Sequence, residues 1–204
     1  MKNVWDHHYQ KDKSKLSYPD ENLVRLLSKV SHTNKQALDF GTGSGRHIYL
    51  LLDKGYTVSA SDSSSESIAQ IKNQNLPVQL YHTESLPYPF SENQFGLIVS
   101  WGVFHYNQRE TAKSMLKELH SSLDKGGYLL GSIRANTDTH LKIDSGEMNL
   151  QDLKGGYAET YELEDLKLFL SGFTNVEIGY SERTPLGKLE ERICHWFFLA
   201  QKKG

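Results

Sequence analysis

The chain has 204 residues, of which 37% are hydrophobic and 24% charged, and its net charge is −2. That length supports one domain with a full core, and the near-neutral balance gives no basic excess for a nucleic-acid backbone. A single cysteine, Cys194, excludes an intrachain disulfide and a cysteine-based zinc cluster.

Residues 1–19 are polar but carry Trp5, Tyr9 and Tyr18. Trp5 and Tyr9 are four apart and share one face if the segment is helical. That suits either a frayed arm with two packing aromatics or a lid over a bound ligand. Pro19-Asp20 starts a helix with Leu23, Leu26, Leu27 and Val30 at helical spacing. From residue 36 strands and helices alternate. The pattern predicts strands at about 36–40, 56–62, 77–81, 96–100 and 128–133, with helices at about 44–54, 64–74 and 108–123 between them. Such alternation implies parallel strands joined by crossover helices, an α/β sheet covered on both faces. Residues 135–158 break the rhythm with polar residues and glycines. A stretch of that length at this end of a sheet suits a substrate-side cap over about 135–160. A helix at about 162–171 and strands at 175–181 and 193–200 complete the chain. The short connection between those two strands favours an antiparallel pair.

The chemistry is concentrated at 37–47, Ala-Leu-Asp-Phe-Gly-Thr-Gly-Ser-Gly-Arg-His. An apolar strand runs out into three glycines at alternate positions, so a ligand can lie against bare backbone. The helix that follows presents unpaired N–H groups to it. An adenine-containing cofactor is expected here. The spacing is G-x-G-x-G, with Arg46 where the dinucleotide fingerprint needs its third glycine, and no Lys-Ser/Thr follows as a P-loop requires. Asp39 sits two residues before Gly41, where it can hold an ammonium group. Asp62 ends the second strand, 21 residues after Gly41, where a carboxylate can accept both hydroxyls of a ribose. The alternative for Asp62 is a helix N-cap. His82, Thr83 and Glu84 end the third strand level with the same crevice.

These motifs, together with Glu84–Phe90, Phe95–Ser100 and Leu123–Leu130, resemble the class I S-adenosylmethionine-dependent methyltransferases from about residue 36 to 133. Trp5, Tyr9 and residues 45–50 are similar to the tellurite-resistance and thiopurine methyltransferase-like branches. The resemblance implies a three-layer Rossmann-like sandwich with a mostly parallel seven-stranded sheet and an antiparallel last strand. It implies S-adenosylmethionine as cofactor, with the methionine part on Gly41, Gly43 and Gly45, its amino group facing Asp39, and the ribose on Asp62. Ser63 would lie beside the adenine, Thr83 and Glu84 would border it, and the Ser100-Trp101 backbone would close the methionine end. Two positions depart from the family pattern. His82 stands where an Asp usually accepts from the adenine amino group, so either a neutral imidazole or the Thr83 backbone N–H takes that role. Gly96 replaces a generally structural Asp.

The function this implies is methyl transfer to a small molecule by in-line displacement, needing no metal. The alternatives are a protein or RNA methyltransferase, or a binding protein without catalysis. His105 is the candidate general base, with helix capping or packing as its other reading. Trp5, Tyr9, Tyr106 and Arg134 are substrate-side candidates, and Arg134 and Arg183 suit an acidic substrate group. His7, His8 and His140 lack a third ligand for a metal. The N-terminus has no signal-peptide core and no run nears the ~20 apolar residues of a membrane span. A cytoplasmic protein of one domain, binding neither membrane nor nucleic acid, is therefore expected. The oligomeric state is not readable.

Overall fold

The computed structural model describes residues 4–144, 146–148, 153 and 155–204. Its first helix is α1 (Val4–Tyr9), followed by a 3-10 turn (Asp12–Ser14) and α2 (Glu21–Leu27). The central run is β1 (Gln36–Phe40), α3 (Ile48–Asp53), β2 (Thr57–Asp62), α4 (Ser65–Lys72), β3 (Val78–His82) and β4 (Phe95–Trp101). A second 3-10 turn (Phe104–Tyr106), α5 (Arg109–Ser122) and β5 (Leu123–Arg134) come next. The chain ends with β6 (Ile143–Asp144), β7 (Glu147–Met148), α6 (Leu163–Phe169), β8 (Thr174–Arg183) and β9 (Ile193–Gln201).

Seven strands form one sheet in the order β3-β2-β1-β4-β5-β9-β8. The first five are parallel, and β9 runs antiparallel to both β5 and β8. This is the α/β architecture read from the alternating pattern, down to the antiparallel end. The parallel strands are apolar on both faces because helices cover both. Leu38, Ile98 and Leu129 point to the core under α5 and α6, while Ala37, Leu97, Val99 and Leu130 point to the core under α2 and α3. Strand order reverses at β1, with β2 on one side and β4 on the other. That switch point leaves a crevice beyond the carboxyl ends of β1 and β4, where open α/β sheets bind ligands.

Some boundaries differ from the sequence reading. The α3 helix begins at Ile48 rather than 44, because Gly45 N–H donates to the Thr42 carbonyl and Ile48 N–H to Gly45 in a tight turn. The fifth strand begins at Leu123, directly after α5, with an irregularity opposite Phe95–Leu97. Gly96 has a packing reason: a Cβ there would clash with the Asn34 carbonyl and come 2.8 Å from the His32 ring. The expected cap at 135–160 lies partly outside the described residues. Its described part contains the β6–β7 pair and a small apolar cluster of Leu141, Met148, Leu153 and Ala158, packed on Trp5 and Tyr106.

Candidate active site

The turn between β1 and α3 is sewn to the end of β2. Gly41 and Thr42 N–H both donate to the Ser61 carbonyl, at 2.8 and 2.9 Å. Gly43 N–H donates to Asp62 Oδ2 at 2.8 Å. Gly41 and Gly43 hold φ of +70° and +55°, a left-handed conformation that glycine adopts without steric cost. Neither has room for a side chain: a Cβ on Gly41 would clash with Val103, and one on Gly43 would sit 2.5 Å from the Tyr9 hydroxyl. Gly45 serves a different purpose. A Cβ there would press on Ile71 and Ile48, so this glycine lets α3 and α4 close on each other.

Asp62 is held from two sides. Its Oδ1 accepts from Ser64 N–H at 2.9 Å while Oδ2 takes Gly43 N–H. Ser64, not Asp62, caps α4, accepting from Ser67 N–H at 3.2 Å. Burial pushes the Asp62 carboxyl pKa upward, and the two backbone donors oppose that rise. The two oxygens offer about four lone-pair sites, and the two backbone donors with the Ser67 hydroxyl leave part of that capacity for a further donor. Asp39 lies beneath the turn, 1% exposed, accepting from Thr42 Oγ1 at 2.6 Å. His47 Nδ1 stands 3.7 Å from the other Asp39 oxygen.

The crevice opens into a cavity of about 1150 Å³. That exceeds the ~300–1,000 Å³ of a pocket for one drug-sized ligand. One end is walled by Gly41, Gly43, Asp62, Ser63, Thr83 and Glu84. Trp5, Tyr9, Trp101 and Tyr106 lie along the middle, with the Trp5 and Tyr106 rings 4.6 Å apart edge to face. The far end carries His105, Arg134, Arg183 and His195. His105 is 1% exposed and both its ring nitrogens are unpartnered among the described residues. Burial first, then Arg134 and His195, holds its pKa well below the ordinary imidazole value. His195 is lowered to about 3, chiefly by burial and then by Arg134. Two neutral imidazoles with centroids 6.2 Å apart therefore face this end.

Residues 37–127 match the model of a methyltransferase domain. Those residues resemble a methyltransferase domain, and the curated relatives that the chain matches are named as methyltransferases. An uncharacterized methyltransferase of Staphylococcus carnosus is 33% identical over 112 residues, covering 53% of this chain and 52% of that protein. A probable S-adenosyl-L-methionine-dependent methyltransferase, TehB, of Haemophilus influenzae is 32% identical over 109 residues, 50% of this chain and 37% of its own length. The chain thus spans about half, or less, of these curated relatives. The Burkholderia thailandensis 1,6-didemethyltoxoflavin-N1-methyltransferase, crystallised with bound 1,6-didemethyltoxoflavin and S-adenosylhomocysteine, superposes with a TM-score of 0.65. It covers 98% of this chain and 85% of its own at 20% identity, a likeness of fold.

The fold brings most of the sequence-derived residues together. Gly41, Gly43, Asp62, Ser63, Thr83, Glu84, Trp101, Trp5, Tyr9, Tyr106, His105 and Arg134 all line the one cavity. Asp39, Gly45, His82 and Ser100 do not. Of the two adenine-recognition routes read from sequence, the Thr83 N–H is committed to the sheet, while His82 turns its Nε2 to its own loop. Thr83 N–H donates to the Asp62 carbonyl at 2.9 Å, continuing the β2–β3 ladder. His82 Nε2 lies 3.1 Å from the Ser63 carbonyl and 3.3 Å from Glu84 Oε1, on the exposed rim. Arg134 reaches the cavity, but its guanidinium donates to the buried Asp138 at 2.7 Å. His195 and Arg46 were not singled out as site residues. Only the crossing of β9 beside β5 brings His195 to Arg134, and no local motif signals that.

Proposed function

We propose that this protein transfers the methyl group of S-adenosylmethionine to a small-molecule acceptor. The observation that carries the reading is Asp62. Its carboxylate is fixed by Gly43 and Ser64 N–H at the end of β2, with lone pairs left over, beside a turn with no side chain on Gly41 or Gly43. That arrangement suits the vicinal diol of a ribose, with the rest of the cofactor lying on the Gly41–Gly43 backbone. Ser63 and Glu84 border the base in this reading, and Asp39 acts on the amino group through the turn it supports.

Bound there, S-adenosylmethionine supplies a methyl group already activated on a sulfonium. The chain's own residues then orient the acceptor and keep water out, a contribution of ~7–11 kcal/mol when geometry is well held. Trp5, Trp101 and Tyr106 wall the middle of the cavity against water. His105, uncharged because it is buried, accepts the proton of an acceptor that arrives protonated. The cavity volume supports a small acceptor. A radiolabelled-methyl screen across metabolite, peptide and RNA pools tests the reading, with label expected in the metabolite pool. Label confined to macromolecules would replace the small-molecule acceptor with a protein or RNA.

A further inference from the structure

We propose that the β8–β9 end of the cavity holds a carboxylate of the methyl acceptor between the guanidinium groups of Arg46 and Arg183. The inference rests on the methyltransferase reading above and names the class of its second substrate.

The register of the last strands builds the site. Arg134 is opposite His195, and His195 is opposite Ser181, so the three stand side by side across β5, β9 and β8. Directly opposed residues share a face, and Arg183 is two residues beyond Ser181 on that same face. All four line the cavity, and Arg46 reaches it from the turn before α3. Cations here are unusually unpaired. Arg134 gives Nη1 to Asp138 and keeps an unpartnered Nε, whereas neither the half-buried Arg46 nor the exposed Arg183 has an ion pair or hydrogen bond among the described residues. The neighbouring carboxylates are engaged: Asp20 accepts from Asn22 N–H at 2.9 Å to cap α2, and Glu182 pairs with Arg192 at 3.1 Å. Asp20 and Asp39 are the carboxylates that act on Arg46, neither in an ion pair with it among the described residues, and a ligand anion supplies the close counter-charge that they do not. Burial lowers the Arg46 pKa, and Arg183 adds to that lowering against the pull of Asp20 and Asp39.

Arg183 assigns the anion to the acceptor, since Arg46 stands on the glycine turn beside the cofactor's place. Four strand spacings of about 4.8 Å separate β8 from β1, so Arg183 stands far from a cofactor seated in the β1–β4 crevice. Between them lie Trp101, Phe197 and His105, a partly aromatic chamber with a proton acceptor in its wall. An organic acid with its nucleophile some way from its carboxylate fits that layout.

The test is calorimetry of a panel of small carboxylic acids, each matched with its primary amide, against the protein with and without S-adenosylhomocysteine. At least one acid is expected to bind about tenfold more tightly than its amide. Arg46→Met and Arg183→Met should each abolish that preference while S-adenosylhomocysteine affinity stays within about twofold, with unchanged melting temperatures reporting intact folds. Absence of any acid preference in a protein that binds S-adenosylhomocysteine would overturn this proposal alone. Failure to bind S-adenosylhomocysteine would strike the methyltransferase reading instead, and acid binding to the free protein would still decide the anion site. If Arg46→Met weakens S-adenosylhomocysteine but not methylthioadenosine, which lacks the amino-acid carboxylate, Arg46 serves the cofactor and the proposal fails.

Discussion

His195 and His105 are buried imidazoles through which pH acts on this molecule. His195 titrates near 3 in the folded chain, mainly through burial, with Arg134 and Arg183 opposing its charge and Asp138 and Asp20 favouring it. In the unfolded chain it titrates near ~6.5. Between those values the unfolded state binds more protons, so stability falls as pH drops below about 6.5 and is fully present above it. At pH 5 the penalty from His195 approaches about 2 kcal/mol. Urea unfolding midpoints are therefore expected to fall between pH 7 and pH 5, and His195→Gln should flatten that dependence. A midpoint that rises on acidification would contradict the buried, neutral assignment. The same burial keeps His105 unprotonated at neutral pH while lowering its basicity.

At the scale of elements, α1 is the piece that completes the site. Asp6 accepts from Ser64 Oγ at 2.6 Å and from Glu66 N–H at 3.2 Å, at the start of α4. The Tyr9 carbonyl accepts from Gln70 Nε2 at 2.7 Å. These bonds lay Tyr9 over Gly43 and Trp5 against Tyr106, so α1 covers the crevice instead of fraying from it. Asp6→Ala is expected to speed amide exchange in residues 4–9 and to weaken S-adenosylhomocysteine binding severalfold, with little change in melting temperature. Unchanged exchange and affinity would mean that the aromatic contacts alone hold α1.

The same helix shows where sequence reading stops. The glycine turn and Asp62 were legible because strand, turn and acid are near neighbours whose roles follow from local geometry. The place of α1 was open between arm and lid, since it depends on Asp6 meeting Ser64, which is 58 residues away. The far end of the cavity was least legible of all. Arg134, His195 and Ser181 come together only through strand register, which no local pattern encodes.

At the scale of the whole molecule, one sheet divides two tasks along its carboxyl edge. The β1–β2–β4 side supplies a turn bare of side chains at Gly41 and Gly43, and the β5–β9–β8 side supplies Arg134, His195 and Arg183 to the same space. Parallel strands and crossover helices on one side, and an antiparallel pair on the other, were legible from the alternating pattern, whereas the order of the strands across the sheet comes from the structure. The contents of the shared cavity were not. Asp62 joins the halves of the account, since it ties the glycine turn to β2 and presents the cavity with its fixed carboxylate. Calorimetric titration with S-adenosylhomocysteine, on the wild type and on Asp62→Ala, tests it most directly. Saturable binding is expected for the wild type and a loss of about tenfold or more for Asp62→Ala, since hydrogen bonds to a charged partner contribute about 1.5–3 kcal/mol. No binding by the wild type, or undiminished binding by Asp62→Ala, would contradict the assignment.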